Sequence, residues 1–426
     1  MQLPLDPEII AVAVFVGVYL LIMLGLRELT VASLAGVAIL LLLNVLTWRE
    51  ALGYLDFNVL GMLIGVMILI RMLSRAGFFR WLGIHMANLA RCDPMKMMLI
   101  FILVTFILSS FTIANVVTVL LMAVVVIEIA EILELDPRPF IMALIFASNI
   151  GGMSTSISSL PNILVASASG MTFVDFMVHM WPLATANLVM VFIMFSVLRK
   201  KELMRMRPKY TRMPISPSDV IADKKLFVFL LAMFLLMIIT LVVSPMFGLS
   251  PGAMALIVAA ITLVLVGERA GPVIREVDWE TIISVACLLI LVGGLEKTGA
   301  IHDLSTAIIM TADGSCMLSL MLIFWSSTIV SCFVDNVPFT IALISVLEDM
   351  ARAGFDVSSL WWALLAGAGI GGNGTIVASY ANIVVVGETS RRGYKIEPRA
   401  FAKMGLTFVL MSSLLTSGIL LALYAL

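Results

Sequence analysis

Eight nearly unbroken apolar runs constrain this chain more than any motif in it. They lie near residues 8–26, 29–47, 57–74, 177–198, 225–245, 251–267, 280–296 and 404–425. A helix crossing the ~30 Å hydrocarbon core of a bilayer needs about 20 mostly apolar residues, and these runs are of that kind. Composition agrees: 62% of the 426 residues are hydrophobic and 12% are charged, whereas a soluble domain is about half apolar and a quarter charged. Surface this apolar cannot be hidden from water, so lipid is its solvent. Soluble enzymes, disordered scaffolds and disulfide frameworks are excluded. A net charge of −1 leaves no basic footprint for nucleic acid.

Four further regions are apolar but interrupted by polar clusters: 97–130, 139–168, 315–347 and 359–388. The segments 139–168 and 359–388 read as single crossings broken in the middle. The segments 97–130 and 315–347 read as helical hairpins that leave the membrane on the side they entered. Basic residues then set the orientation. With the N-terminus outside, 23 of the 26 Lys and Arg fall on the inner side, and only Arg49, Lys297 and Arg352 fall outside. The C-terminus is outside too. The N-terminal MQLPLDPE has no basic region and no cleavage motif, so the first helix reads as a retained span. The chain divides into a first membrane half at 1–198, a basic cytoplasmic linker at 199–225, suited to lipid headgroups, and a second membrane half at 226–426.

The halves are copies. Asp56-Phe57-Asn58 and Ala76-Gly77-Phe78 recur 222 residues later as Asp278-Trp279-Glu280 and Thr298-Gly299-Ala300. The motif from Ser110 to Asn115 recurs from Ser331 to Asn336, offset 221. Ile150-Gly151-Gly152 with Asn162-Ile163 recurs as Ile370-Gly371-Gly372 with Asn382-Ile383, offset 220. Each half makes five net crossings, an odd number, so the second copy is inserted upside down. The fold class is an all-α polytopic membrane protein of two inverted-topology repeats, each with a helical hairpin and a broken helix. Inverted repeats with broken helices mark secondary transporters that bind their solute near the midplane.

The breaks supply the candidate site, because irregular backbone at membrane depth must line protein or a water-filled cavity. Candidate solute-binding residues are Ser110, Asn115, Asn149, Ser154, Thr155, Ser156, Asn162, Asn336, Asn373, Thr375 and Asn382. Asn115 and Asn336 stand where helix N-caps belong, and Asn162, after Pro161, is expected to open another half-helix in the same way. Half-helix N-termini aimed at one pocket would bring free N–H groups and positive dipole ends to it. Asp335 is the one intramembrane carboxylate and the candidate for proton or ion coupling. Glu128, Glu131 and Glu296 lie near helix ends and are expected to be solvated, and His85, His179 and His302 are expected at interfaces. Cys92, Cys287, Cys316 and Cys332 have no metal or pairing spacing. There is no HExxH, GxSxG or P-loop, so the chain reads as neither an enzyme nor an ATPase, and any ATPase would be a separate partner. No cofactor is implied.

At these clusters the sequence resembles the ArsB/NhaD ion transporter superfamily, most closely the branch with the melanosomal P protein and NhaD-type sodium/proton antiporters. The residues are VTVLLMAVVV (117–126), LELDPRPF (133–140), SNIGG (148–152), LPNI (160–163), VDNVPFT (334–340), GGNGT (371–375) and SYANIVV (379–385). The resemblance implies a homodimer with an elevator-like movement, carrying arsenite or antimonite, silicic acid, small anions, or sodium against protons. Two departures bear on the solute. Ala114-Asn115 and Ser159-Leu160-Pro161-Asn162 stand where the family usually has Asp-Asn and Asp-Pro-Pro-Asn, so two carboxylates of the cation-handling branch are missing. The expectation is therefore proton-coupled export of arsenite or antimonite across a prokaryotic inner membrane. Sodium/proton antiport and carriage of a small oxyanion or carboxylate are the alternatives.

Overall fold

The computed structural model describes residues 6–23, 26–112, 115–244, 248–267, 270–312, 315–333 and 336–424. Among them all regular structure is helical, and the helices of the first half recur in order in the second. Pro7–Met23 answers to Lys224–Val243, Leu29–Leu42 to Pro251–Val266, and Phe57–Arg75 to Trp279–Thr298. The hairpin Pro94–Ser110 and Asn115–Ile132 answers to Cys316–Ser331 and Asn336–Arg352. The broken crossing Arg138–Gly151 and Leu160–Ser169 answers to Ser358–Gly371 and Tyr380–Arg391. Last, Phe173–Leu198 answers to Pro398–Tyr424. The protein is a multi-pass membrane protein of inverted repeats.

Local chemistry sets the matching boundaries. Asp56 starts its helix by accepting from the amides of Asn58 and Val59, and Asp278 accepts from that of Thr281, each meeting N–H groups that lack an intrahelical partner. Both helices end at a left-handed glycine, Gly77 at φ 91° and Gly299 at φ 95°, a conformation that a Cβ would strain. The chain turns there into the next helix, Phe78–Leu89 or Ala300–Ala312.

The repeats are interlocked rather than side by side. Leu29–Leu42 packs on Trp279–Thr298 of the other half, and its counterpart Pro251–Val266 packs on Phe57–Arg75. Polar bonds tie the same crossings: Thr30 Oγ1 lies 2.6 Å from Ser284 Oγ, and the Gly252 amide donates to Asn58 Oδ1 at 2.7 Å. These helices, with Pro7–Met23 and Lys224–Val243, form a frame. The hairpins, broken crossings and two closing helices form a second group. Its core holds Phe146, whose ring meets those of Phe195, Phe401 and Phe408 at 5.3–5.7 Å. Within this group the halves exchange again: Asn115–Ile132 packs on Tyr380–Arg391, and Asn336–Arg352 packs on Leu160–Ser169.

Each broken crossing lies hard against the first leg of its own hairpin. A Cβ on Gly151 would stand 2.5 Å from the carbonyl oxygen of Phe106, and one on Gly371 would stand 2.5 Å from that of Thr328. Backbone cannot yield as a flexible side chain can. Gly371→Ala is expected to destabilise the protein by about 1–3 kcal/mol, seen as a lower Tm of the detergent-purified protein. Gly418→Ala, with open space at the added Cβ, should leave Tm unchanged or raised.

Ion pairs join the frame helices across the repeats at both ends. Arg75 Nε donates to Glu276 at 2.9 Å on the Arg-rich side, and Lys297 Nζ meets Glu50 at 2.7 Å on the other. Lys297, with the Thr47 capping box, holds the Glu50 carboxyl down to about 2 from its usual 4.5. A depressed carboxyl stabilises the fold above its unfolded value and loses that contribution as pH falls toward its folded one. Glu50→Gln should therefore flatten the acid limb of Tm between about pH 4.5 and 2, the window set by those two values, and leave Tm at neutral pH lower than wild type.

Candidate functional site

Four half-helices stop inside the bundle and their first turns meet. Val116 and Val117, Leu160 to Asn162, Asn336 and Val337, and Tyr380 and Ala381 all line one cavity of about 110 Å³. The opposite wall comes from the frame: Leu63 and Met67, mid-way along Phe57–Arg75, and Ser284, Val285 and Leu288 in Trp279–Thr298. The cavity therefore sits at mid-depth, between the frame and the hairpin group. Each helix start contributes N–H groups without intrahelical partners and about half a positive charge.

A knot of amides holds the breaks in register. Asn149 Nδ2 lies 3.1 Å from the Gly372 carbonyl oxygen, 3.2 Å from Asn373 Oδ1 and 3.1 Å from Asn382 Oδ1. Asn382 Nδ2 donates to the carbonyls of Gly372 and Thr375, and Asn373 Nδ2 to that of Ile370. In the other repeat Asn162 Nδ2 donates to the Thr155 carbonyl at 2.6 Å, the counterpart of the Asn382–Thr375 bond. The threonines pin the hairpin tips: Thr155 Oγ1 donates to the Ser110 carbonyl and Thr375 Oγ1 to that of Cys332.

This corrects several sequence expectations. Asn162 is not a cap: its half-helix begins at Leu160 after Ser159, and its amide folds back into the break. The hydroxyls of Ser110 and Ser154 donate to the carbonyls of Phe106 and Gly151. Those two, with Thr155, Asn373, Thr375 and Asn382, bond within and around the breaks, and Ser156 is buried beside them in sequence; Asn149, Asn162 and Asn336 line the cavity. Asp335 and the side chain of Asn115 lie outside the described residues. Residues that polarity at a break could not flag also line the wall: Thr30, Asp278, Glu280, Thr281 and Ser284. Their one signal was Asp278-Trp279-Glu280 as a repeat marker. As expected, Glu128 pairs with Arg80 and Glu296 with Arg352 near helix ends. His179 stacks on Trp362, His85 stacks on Trp81, and His302 pairs with Asp349.

Among the described residues no Lys, Arg or His lines the cavity, and no three His, Cys, Asp or Glu side chains are grouped to hold a metal ion. A vestibule of about 890 Å³ shares Leu29, Glu280 and Tyr380 with it and reaches Arg27 and Arg391 on the Arg-rich face. Asn149→Ala should cost about 1–3 kcal/mol by leaving buried acceptors unmet. Asn149→Asp, which sets a carboxylate against three oxygens, should cost more. Thermal unfolding reads both.

Inverted repeats whose broken helices meet at a mid-depth cavity define a transporter. The sequence profile of the citrate transporter family matches residues 19–367, and the chain belongs to that family. It is 32% identical to an uncharacterized transporter of Mycobacterium bovis, over 93% of this chain and 94% of that one. It is 31% identical to a 46 kDa membrane protein of Mycobacterium leprae, over 95% and 96%. The P protein of Mus musculus is 27% identical over 94% of this chain and 58% of its own length. The solved YdaH transporter of Alcanivorax borkumensis shares the fold, with a TM-score of 0.54 over 85% of this chain and 83% of that one at 14% identity. The resemblance read from the motifs thus stands at the level of a transporter superfamily, within which the family is that of citrate transporters.

Proposed function

We propose that the protein is a secondary carrier of a small multivalent carboxylate of the citrate type, moved together with a cation. One observation carries this reading: four helix N-termini face one cavity that has no cationic side chain among the described residues. At about half a charge each, the four present on the order of +2 at their end of the cavity, which suits carboxylate groups seated there, while Asp278 and Glu280 on the frame wall add negative charge that a co-transported cation would balance. Charge left over is met by the co-transported cation, for which Asp335, next to Asn336 in sequence, is the proposed partner. Asn149, Asn162 and Asn336 would bind carboxylate oxygens through their amides, beside the free N–H groups of the first turns. Measured on the same scale as the cavity, one water needs about 10–15 Å³, so about 110 Å³ holds a small organic anion rather than a lipid. Membership of the citrate transporter family supports the solute class.

A second reading is proton-coupled export of a neutral hydroxide such as arsenous acid. The amide and hydroxyl lining without Lys, Arg or His favours it, since a neutral solute needs partners and not charge.

Proteoliposomes separate the readings. The expected result is saturable uptake of labelled citrate driven by an imposed proton or sodium gradient, with counterflow against unlabelled citrate. Asp335→Asn should abolish gradient-driven uptake and spare counterflow. Arsenite flux without carboxylate flux would establish the second reading. Sodium-dependent proton movement with neither solute would overturn both, and flux without counterflow would mean a channel.

A further inference from the structure

The two repeats serve as each other's control, and at one pair of positions they differ in a way that matches the shape of the molecule. On the face away from the Arg-rich side lies a cavity of about 220 Å³, lined by Asp56, Leu164, Ser167 and Ile341 among others. The corresponding positions Val384, Gly387 and Leu120 line the vestibule of about 890 Å³. The two spaces share these three repeat-related positions, while Asp56 lines the outer one and its counterpart Asp278 lines the adjoining mid-depth cavity.

In the narrow one, Ser167 Oγ donates to Asp56 Oδ2 at 2.6 Å. Asp56 belongs to the frame, where its other oxygen starts Phe57–Arg75. Ser167 belongs to the half-helix Leu160–Ser169, which packs on the hairpin leg Asn336–Arg352. The bond therefore spans the boundary between frame and hairpin group. Its counterpart would join Asp278 to residue 387. Asp278 is there, but residue 387 is glycine and has no hydroxyl, and the second carboxylate oxygen of Asp278 accepts instead from the Thr281 hydroxyl of its own helix at 2.7 Å.

We infer that Ser167 and Gly387 are the positioning residues that set the resting side of the carrier. Ser167 latches the outer face shut on Asp56, and Gly387 leaves the inner face without the same latch on Asp278. The inference rests on the carrier reading, because a latch sets a resting side only if the two groups move against each other.

The test uses full-length protein in liposomes with its four cysteines replaced by alanine. One reporter cysteine is placed at Ser345 in the outer cavity or at Val384 in the inner vestibule, and labelled with a membrane-impermeant maleimide. A carboxylate–hydroxyl bond at a solvated site is worth about a fivefold shift in a two-state equilibrium. Ser167→Ala should therefore raise outer labelling about fivefold and slow inner labelling. Gly387→Ser, by adding the inner latch, should do the same. The exchange of both, Ser167→Gly with Gly387→Ser, should give the product of the two effects, and Ser167→Thr should keep the wild-type pattern. Unchanged labelling in Ser167→Ala and in the exchange, with Tm retained, would overturn the inference. A lower Tm with both sites labelled faster would also overturn it, since that marks a merely structural bond. Loss of counterflow in the otherwise wild-type protein would instead overturn the carrier reading, so the two failures are distinguishable.

Discussion

Backbone that stops being helical inside a bilayer leaves N–H and C=O groups that lipid cannot meet, each at a cost of several kcal/mol. Four helices of this protein stop there, and the architecture follows from where their open ends go. Carbonyls of the breaks are met by Asn149, Asn162, Asn373 and Asn382, and carbonyls of the hairpin tips by Thr155 and Thr375. The starting N–H groups are turned to a single small space. The same constraint that would forbid such breaks in an isolated helix builds a polar cavity once the breaks are gathered.

Gathering them requires the two repeats to cross over one another. Each hairpin packs its second leg on the first half-helix of its own broken crossing and on the second half-helix of the other repeat's. The frame does the same with Leu29–Leu42 and Pro251–Val266. The cavity is thus walled by both copies at every level, and the frame touches it through the middles of two unbroken helices.

Much of this was legible in the amino-acid sequence because lipid makes strict demands. Span lengths, the distribution of Lys and Arg, and a repeat with an offset near 221 follow from hydropathy and spacing. The apolar crossings, hairpins and broken helices come in the expected order, while the short helices Phe78–Leu89 and Ala300–Ala312 were not read from the sequence. The site was read less well, for a physical reason. Polarity at a break marks groups that need partners, and it does not say whether the partner is solute or backbone. Ser110, Ser154 and Thr155 bond to neighbouring carbonyls, while Asn149 both ties the knot and faces the cavity. Asp278, Glu280 and Thr30 looked like ordinary helix-end residues, because their position depends on frame helices crossing from the opposite repeat.

The exchange of helices between repeats also bears on how the protein is made. Ribosomes deliver the first half with the surfaces meant for its twin still bare: the flank of Leu29–Leu42 and one side of the second hairpin leg. Nothing in that half alone can close the cavity wall, which is complete only once Tyr380–Arg391 and Trp279–Thr298 have been inserted.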